Sequence, residues 1–275
     1  MSDRLRRAFA QLRADRRPGL VTYVTAGDPD LPRSRDVLLA LQRGGADVIE
    51  VGVPFSDPLA DGPVIQRAVE RALAAGTTLA RTLELVHGLR ADLRVPLVLF
   101  TYVNPVLRFG VEAFAAEAAR AGVDGVLVLD LPVEEASELR GSLDRSGLDT
   151  IFLLSPTTTP ARIREAARLG SGFLYAISRL GVTGARDRVE SEAPALCARI
   201  REVTDLPIAL GFGLSRPEQV AEATRFADAA VVGSVLVDTV ARNAASPGVE
   251  RAVERVVRWL RRDIDGERAT GDDQG

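Results

Sequence analysis

The sequence predicts an α/β fold, a (β/α)8 TIM barrel with an extra N-terminal helix, on three observations. Short β-branched apolar runs alternate with amphipathic stretches of helical period, which is the pattern of repeated βα units. The runs number eight and are almost continuously apolar, as strands covered on both faces are. The turn after the first run reads VTAGDPD, without the GxGxxG that would favour an open doubly wound sheet.

In chain order, residues 2 to 14 form a helix placed to plug the N-terminal end of the barrel. The strands are LVTYV at 20 to 24, DVIEV at 47 to 51, PLVLF at 96 to 100, GVLVL at 125 to 129, TIFLL at 150 to 154, GFLYAI at 172 to 177, PIALG at 207 to 211 and AAVVG at 229 to 233. Between them, VEAFAAEAARAG at 111 to 122 places Phe114, Ala118 and Ala121 on one helical face, with Gly122 as the stop signal. Ser215 reads as the N-cap of the next-to-last barrel helix, with Glu218 three residues on as in a capping box. After Arg262 the apolar pattern is lost. One domain over 1–264 and a disordered tail over 265–275 are therefore expected.

Composition excludes several chemistries. All 35 basic side chains are arginine, so no Schiff base or lysine-bound pyridoxal phosphate can form on this chain. One cysteine, Cys197, and one histidine, His87, rule out an intrachain disulfide and a zinc-type site, so no metal is expected. His87 falls at a helix C-terminus, where an imidazole meets the dipole. A net charge of -3 leaves no basic excess for a nucleic-acid backbone or an anionic membrane surface. The apolar runs are too short to span a bilayer, and residues 1 to 19 lack an apolar signal core, so a cytoplasmic protein with a small-molecule substrate is expected.

Barrel chemistry is built at the C-terminal ends of the strands. Glu50 lies inside the second strand and shares a face with Val48 and Gly52, so its carboxyl projects among apolar neighbours that raise its pKa toward the range useful for proton transfer. An ion pair with an arginine is the structural alternative. Asp61, in PLADGP, is either a catalytic carboxylate or a helix N-cap, and Asp57 shares the ambiguity. The turns GFGLS at 211 to 215 and GS at 233 to 234 suit an anion approached by backbone N–H groups, or are simply tight turns. SRLGVTGAR at 178 to 186 suits a lid or an ordinary βα loop. The loop after Glu50 carries Val53, Pro54, Phe55, Pro58 and Leu59, an apolar group that either folds over the core or forms a protein interface.

The motifs TAGDPD (25 to 30), GADVIEVGVPFSDPLADGPVIQ (45 to 66), TYVNPVLRFG (101 to 110), GVDGVLVLDLP (122 to 132), SRLGVTGAR (178 to 186), LGFGLSRPEQV (210 to 220) and VVGSVLV (231 to 237) run in order along nearly the whole domain. In these the chain resembles tryptophan synthase alpha chains, and the long second motif is the most specific. The resemblance implies retro-aldol cleavage of indole-3-glycerol phosphate to indole and glyceraldehyde 3-phosphate without metal or organic cofactor. It makes Glu50 the general acid/base and Asp61 the carboxylate that stabilises the protonated indole ring. It further implies that Gly184, Gly213, Gly233 and Ser234 bind phosphate, and that Tyr23, Phe100, Leu127, Tyr175, Thr183 and Phe212 line the indole pocket or the lid. The implied partner is a beta chain carrying pyridoxal phosphate, in an α2β2 assembly with an indole tunnel; its docking on the face of the loop after Glu50 favours the interface reading of that apolar group. Tyr23, Leu129 and Leu180 depart from the residues usual in the family. The alternatives are a free-standing indole-3-glycerol phosphate lyase and, from another class, a non-catalytic sugar-phosphate-binding barrel.

Overall fold

The computed structural model describes residues 2–177, 192–211 and 213–265. Phe212, all of SRLGVTGAR with Thr183 and Gly184, and all of the expected tail beyond Asp265 lie outside the described residues. Eight parallel strands, β1 Gly19–Thr25, β2 Val48–Gly52, β3 Leu97–Thr101, β4 Gly125–Val128, β5 Asp149–Leu154, β6 Leu174–Ile177, β7 Ile208–Gly211 and β8 Ala229–Val232, pair in chain order and close β8 on β1. Each matches its predicted run to within a residue or two, the usual uncertainty of element ends.

The helices are α1 Asp3–Ala14, α2 Leu31–Gly44, α3 Pro63–Ala74, α4 Leu79–Leu89, α5 Val103–Phe109, α6 Val111–Ala121, α7 Ser137–Arg145, α8 Pro160–Leu169, α9 Glu192–Arg201, α10 Pro217–Ala223, α11 Ser234–Asn243 and α12 Val249–Asp265. None of the described helices is long and apolar enough to cross a membrane.

Alternation along each strand splits the interior in two. Outward residues such as Leu20, Ile49, Leu97 and Leu174 pack against the helices. Inward residues, among them Val21, Val48, Val98, Leu127, Ile151 and Phe173, fill the barrel and receive Leu5, Phe9 and Leu12 of α1. The Phe9 and Phe173 rings lie 5.6 Å apart. Burial of side chains of this size stabilises by roughly 1.5–3 kcal/mol each, so α1 is a floor to the barrel and not a loose arm. The floor needs Gly19, where a Cβ would sit 2.8 Å from Leu12 Cδ1.

Two local expectations are corrected. The N-cap of α10 is Arg216, not Ser215, and the reciprocal partner is Gln219 in place of Glu218: its side chain accepts from the backbone N–H of Ser215 at 2.9 Å and of Arg216 at 3.1 Å. Pro217 shifts the helix start by one residue because its fixed φ favours the first helical position. Beyond Arg262 the apolar pattern also persists: Ile264 is buried, four residues after buried Leu260 and seven after Val257, so α12 runs to Asp265. On the outer side of the same helix Trp259 is half-exposed, with the Arg262 guanidinium 5.8 Å from its ring centre. His87 lies in the last turn of α4, as expected.

Candidate active site

Glu50 sits in the middle of β2 with Tyr23 of β1 and Val98 of β3 as its register partners. Its side chain therefore points inward, above the dry layer formed by Val48 and Val98. The residue is fully buried, and neither carboxylate oxygen has a hydrogen-bond partner. Burial pushes its pKa to about 8. The ion pair with an arginine, the structural alternative for this residue, is not formed among the described residues.

Asp61 is brought to the same cavity by the loop after β2. The Val53 N–H donates to the Phe100 carbonyl at 2.9 Å, and Val53 and Pro54 fold inward. Phe55 packs its ring 5.4 Å from that of Tyr102. The Gln66 amide, on the first turn of α3, donates to the Asp61 carbonyl at 3.0 Å and ties the loop to the helix. Gly62 is the N-cap of α3 and offers no side chain, while the Asp61 carboxylate accepts from the Tyr102 hydroxyl at 3.0 Å. Asp61 is therefore not a cap. Its pKa is raised to about 6 by burial, against which the Tyr102 hydrogen bond acts. Asp57, in contrast, is exposed and bonded to Ser56 at 2.6 Å.

Around these carboxyls the cavity is walled by Tyr23, Phe100, Tyr175, Leu129 and Leu153, and on another side by Gly213, Gly233 and Ser234. The Tyr23 and Phe100 rings meet edge to face at 5.2 Å. The Tyr23 hydroxyl lies 3.4 Å from Thr25 Oγ1 and occupies space left by Gly52, whose Cβ would come within 2.2 Å of it. Gly213 adopts φ +85°, a left-handed conformation that glycine takes without strain. Gly233 caps α11 and Ser234 opens it, so the helix N-terminus faces the cavity with its favourable dipole.

One sequence expectation is displaced. Leu127 is fully buried in the inner core and is not among the cavity-lining residues; Leu129 and Leu153 are, being two residues further along the chain than Leu127 and Ile151. Tyr102, which holds Asp61, was not singled out as a site residue. Its signal is position, a tyrosine directly after a strand at the catalytic end. Among the described residues no group of three or more His, Cys, Asp or Glu side chains could hold a metal ion.

A family model for tryptophan synthase alpha chains matches residues 9–262. The chain belongs to the tryptophan synthase alpha chain family. It is 49% identical over 259 residues to the tryptophan synthase alpha chain of Solibacter usitatus, covering 94% of this chain and 97% of that one. It is 55% identical over 229 residues to that of Citrifermentans bemidjiense, covering 83% and 86%. Among solved structures, tryptophan synthase of Mycobacterium tuberculosis superposes with a TM-score of 0.88 at 38% identity, covering 96% of this chain and 99% of that chain. The alpha subunit from Legionella pneumophila gives a TM-score of 0.86 at 34% identity over 97% and 99%. Membership in the tryptophan synthase alpha chain family places the barrel among the enzymes of tryptophan biosynthesis and among the lyases.

Proposed function

We propose that the chain cleaves indole-3-glycerol phosphate to indole and D-glyceraldehyde 3-phosphate. The observation that carries this reading is the unpartnered, buried Glu50 carboxyl facing a cavity shared with Asp61 and with the glycine turns after β7 and β8. With a pKa near 8, Glu50 is mainly protonated at neutral pH, while Asp61, near 6, is mainly ionised. Two carboxyls whose environments separate their pKa values can divide acid and anion roles.

On this reading the Glu50 carboxyl gives its proton to the indole ring carbon that bears the glycerol chain. The Asp61 carboxylate accepts the ring N–H and stabilises the positive charge that protonation creates. Glu50, now a carboxylate, takes the proton of the adjacent glycerol hydroxyl as the carbon–carbon bond breaks; the aldehyde leaves and indole regains its aromatic ring. Glu50 ends as it began. Gly213, Gly233 and Ser234 hold the phosphate, to which Gly184 is assigned as well, and Thr183 and Phe212 complete the pocket. Tyr23, Phe100 and Tyr175 supply apolar walls for the indole.

The partner in this reading is a tryptophan synthase beta chain, which carries the pyridoxal phosphate that a lysine-free chain cannot bind covalently; an α2β2 assembly in the cytoplasm goes with it. Leu59, 86% exposed on the loop that bears Asp61, supports docking at this face. Isolated protein assayed with indole-3-glycerol phosphate, with and without a cognate beta chain, tests both statements. Cleavage stimulated by the partner is expected; full activity alone without complex formation points to a free-standing lyase, and no cleavage in either case overturns the reading. Glu50→Gln is expected to lower turnover by about 10² to 10⁴.

A further inference from the structure

The opposite face of the barrel carries a second concave surface. A groove of about 710 Å3 lies between α1 and the loops that lead into β2 and β3, within the size range of small-molecule sites. Its wall contains five arginines, Arg4, Arg7, Arg17, Arg90 and Arg94, and one aspartate, Asp47. The chain as a whole has a net charge of -3, so this concentration of positive charge is local.

The acidic groups at the groove are already saturated. Asp47 accepts from Arg17 at 2.5 and 3.2 Å, from Arg261 at 2.9 Å and from the Leu20 N–H at 2.8 Å. Asp124, behind the wall, accepts from the Ser2 hydroxyl at 2.6 Å and the Leu97 N–H at 2.9 Å and pairs with Arg4 at 3.1 Å. Asp15, at the end of α1, is held by the Gln11 amide at 3.0 Å.

Of the arginines, Arg17 and Arg4 are taken up by these carboxylates, whereas Arg7, Arg90 and Arg94 keep unused donors. Arg90 pairs with Asp124 at 3.6 Å and its Nη2 donates to the Leu93 and Val95 carbonyls, while its Nη1 is buried without a hydrogen bond. Arg7 uses only Nε, on the Asp3 carbonyl at 3.1 Å, and the Arg94 guanidinium has no hydrogen bond or ion pair among the described residues. Burial and the nearby Arg4 charge push the Arg90 pKa down. Like charges held together in this way gain most from an anion placed between them.

We propose that this groove binds a compact polyphosphate anion. Arginine forks match phosphate oxygens in pairs. Those with unused donors come here from separate segments, Arg7 from α1 and Arg90 and Arg94 from the end of α4 and the loop before β3, so a ligand whose charge is spread over more than one phosphate meets them better than a single phosphate does. Bound there, the anion ties the floor helix to the barrel.

Isothermal titration with sodium pyrophosphate at about 0.15 M salt tests this, with saturating glycerol 3-phosphate present so that an anion site on the catalytic face is occupied. One pyrophosphate per chain is expected, together with a melting temperature that rises with pyrophosphate concentration. The double substitution Arg7→Glu and Arg94→Glu, on exposed side chains, is expected to weaken binding at least tenfold while leaving the melting temperature without pyrophosphate and the cleavage rate unchanged. No binding at millimolar pyrophosphate overturns the proposal. So does equal affinity in the double variant, or displacement by sulfate at matched ionic strength, which reduces the effect to charge screening.

Discussion

The Tyr102 hydroxyl donates to the Asp61 carboxylate at 3.0 Å and accepts the Ala60 N–H at 3.2 Å, so one side chain fixes both the position and the charge of the loop carboxyl. Tyr102→Phe keeps the ring that packs on Phe55 and removes only the donor. Because that hydrogen bond lowers the Asp61 pKa, its loss is expected to move Asp61 above about 6 and to shift the acid limb of kcat/KM to higher pH. An unmoved acid limb assigns that limb to another group.

The unsubstituted protein is expected to give a bell-shaped kcat/KM profile with limbs near the two values, about 6 for Asp61 and about 8 for Glu50. The proposed cleavage needs the first ionised and the second protonated. A profile flat from pH 5 to 9 would contradict the division of roles.

Asp61→Asn separates structure from chemistry. Since Gly62 is the N-cap of α3 and Asp61 caps nothing, the variant is expected to melt within a few degrees of the unsubstituted protein while losing about 10² or more in turnover. Retained turnover in a normally folded variant would remove Asp61 from the mechanism.

Glu50 also predicts a pH dependence of stability. Its folded pKa, about 8, lies above its ordinary 4.5, so the folded state holds a proton that the unfolded state releases between these values. Stability is therefore expected to fall as pH rises through that window, by an amount on the order of 5 kcal/mol at about 1.36 kcal/mol per pH unit. Glu50→Gln removes the titration. Urea unfolding of both proteins at pH 5 and pH 8.5 is expected to show the variant gaining relative to the parent at the higher pH, and parallel behaviour would mean that Glu50 is not desolvated.

The architecture was legible because the deciding signals are local. Eight β-rich runs mark eight strands, and period-two alternation alone turns Glu50 inward beside Val48. The site was legible in part. Whether Asp61 caps α3 or meets Tyr102 depends on a residue some forty positions away, brought close by β3. Leu127 and Leu129 face the same interior, and only closure of the barrel decides which layer is floor and which is cavity. In the loop after β2, Val53 and Pro54 fold inward, as one of the two expectations had it, while Leu59 is exposed, because the chain must turn from core to rim within a few residues.

At the phosphate end, Ser234→Asp sets helix stability against ligand binding. An acidic residue in the first turn of α11 suits the helix dipole by about 0.3–1 kcal/mol, so folding is expected to be maintained or improved. The same charge repels a phosphate at that N-terminus, and affinity for glycerol 3-phosphate is expected to drop at least tenfold. Unchanged affinity places the phosphate elsewhere.

Gly52 and Tyr23 form a packed pair. A Cβ at Gly52 would meet the Tyr23 hydroxyl at 2.2 Å and its Cζ at 2.6 Å, so Gly52→Ala is expected to cost about 1–3 kcal/mol. Tyr23→Phe removes the nearer atom and is expected to recover part of that cost. A double-mutant cycle with no coupling would show that the ring moves freely.

Trp259 is the chain's only tryptophan, and it sits on α12, which packs against α2, α10 and α11 outside the barrel. Its emission accordingly reports how the last helix seats on the ring, through the Arg262 guanidinium, which lies over the indole and also bonds Glu218 of α10 at 2.7 Å, and not what enters the interior. Fluorescence thus gives a native optical channel for unfolding, whereas the tyrosines Tyr23 and Tyr175 in the cavity give an ultraviolet difference signal for occupancy. The same sample, unlabelled, can be read at two wavelengths for two separate events.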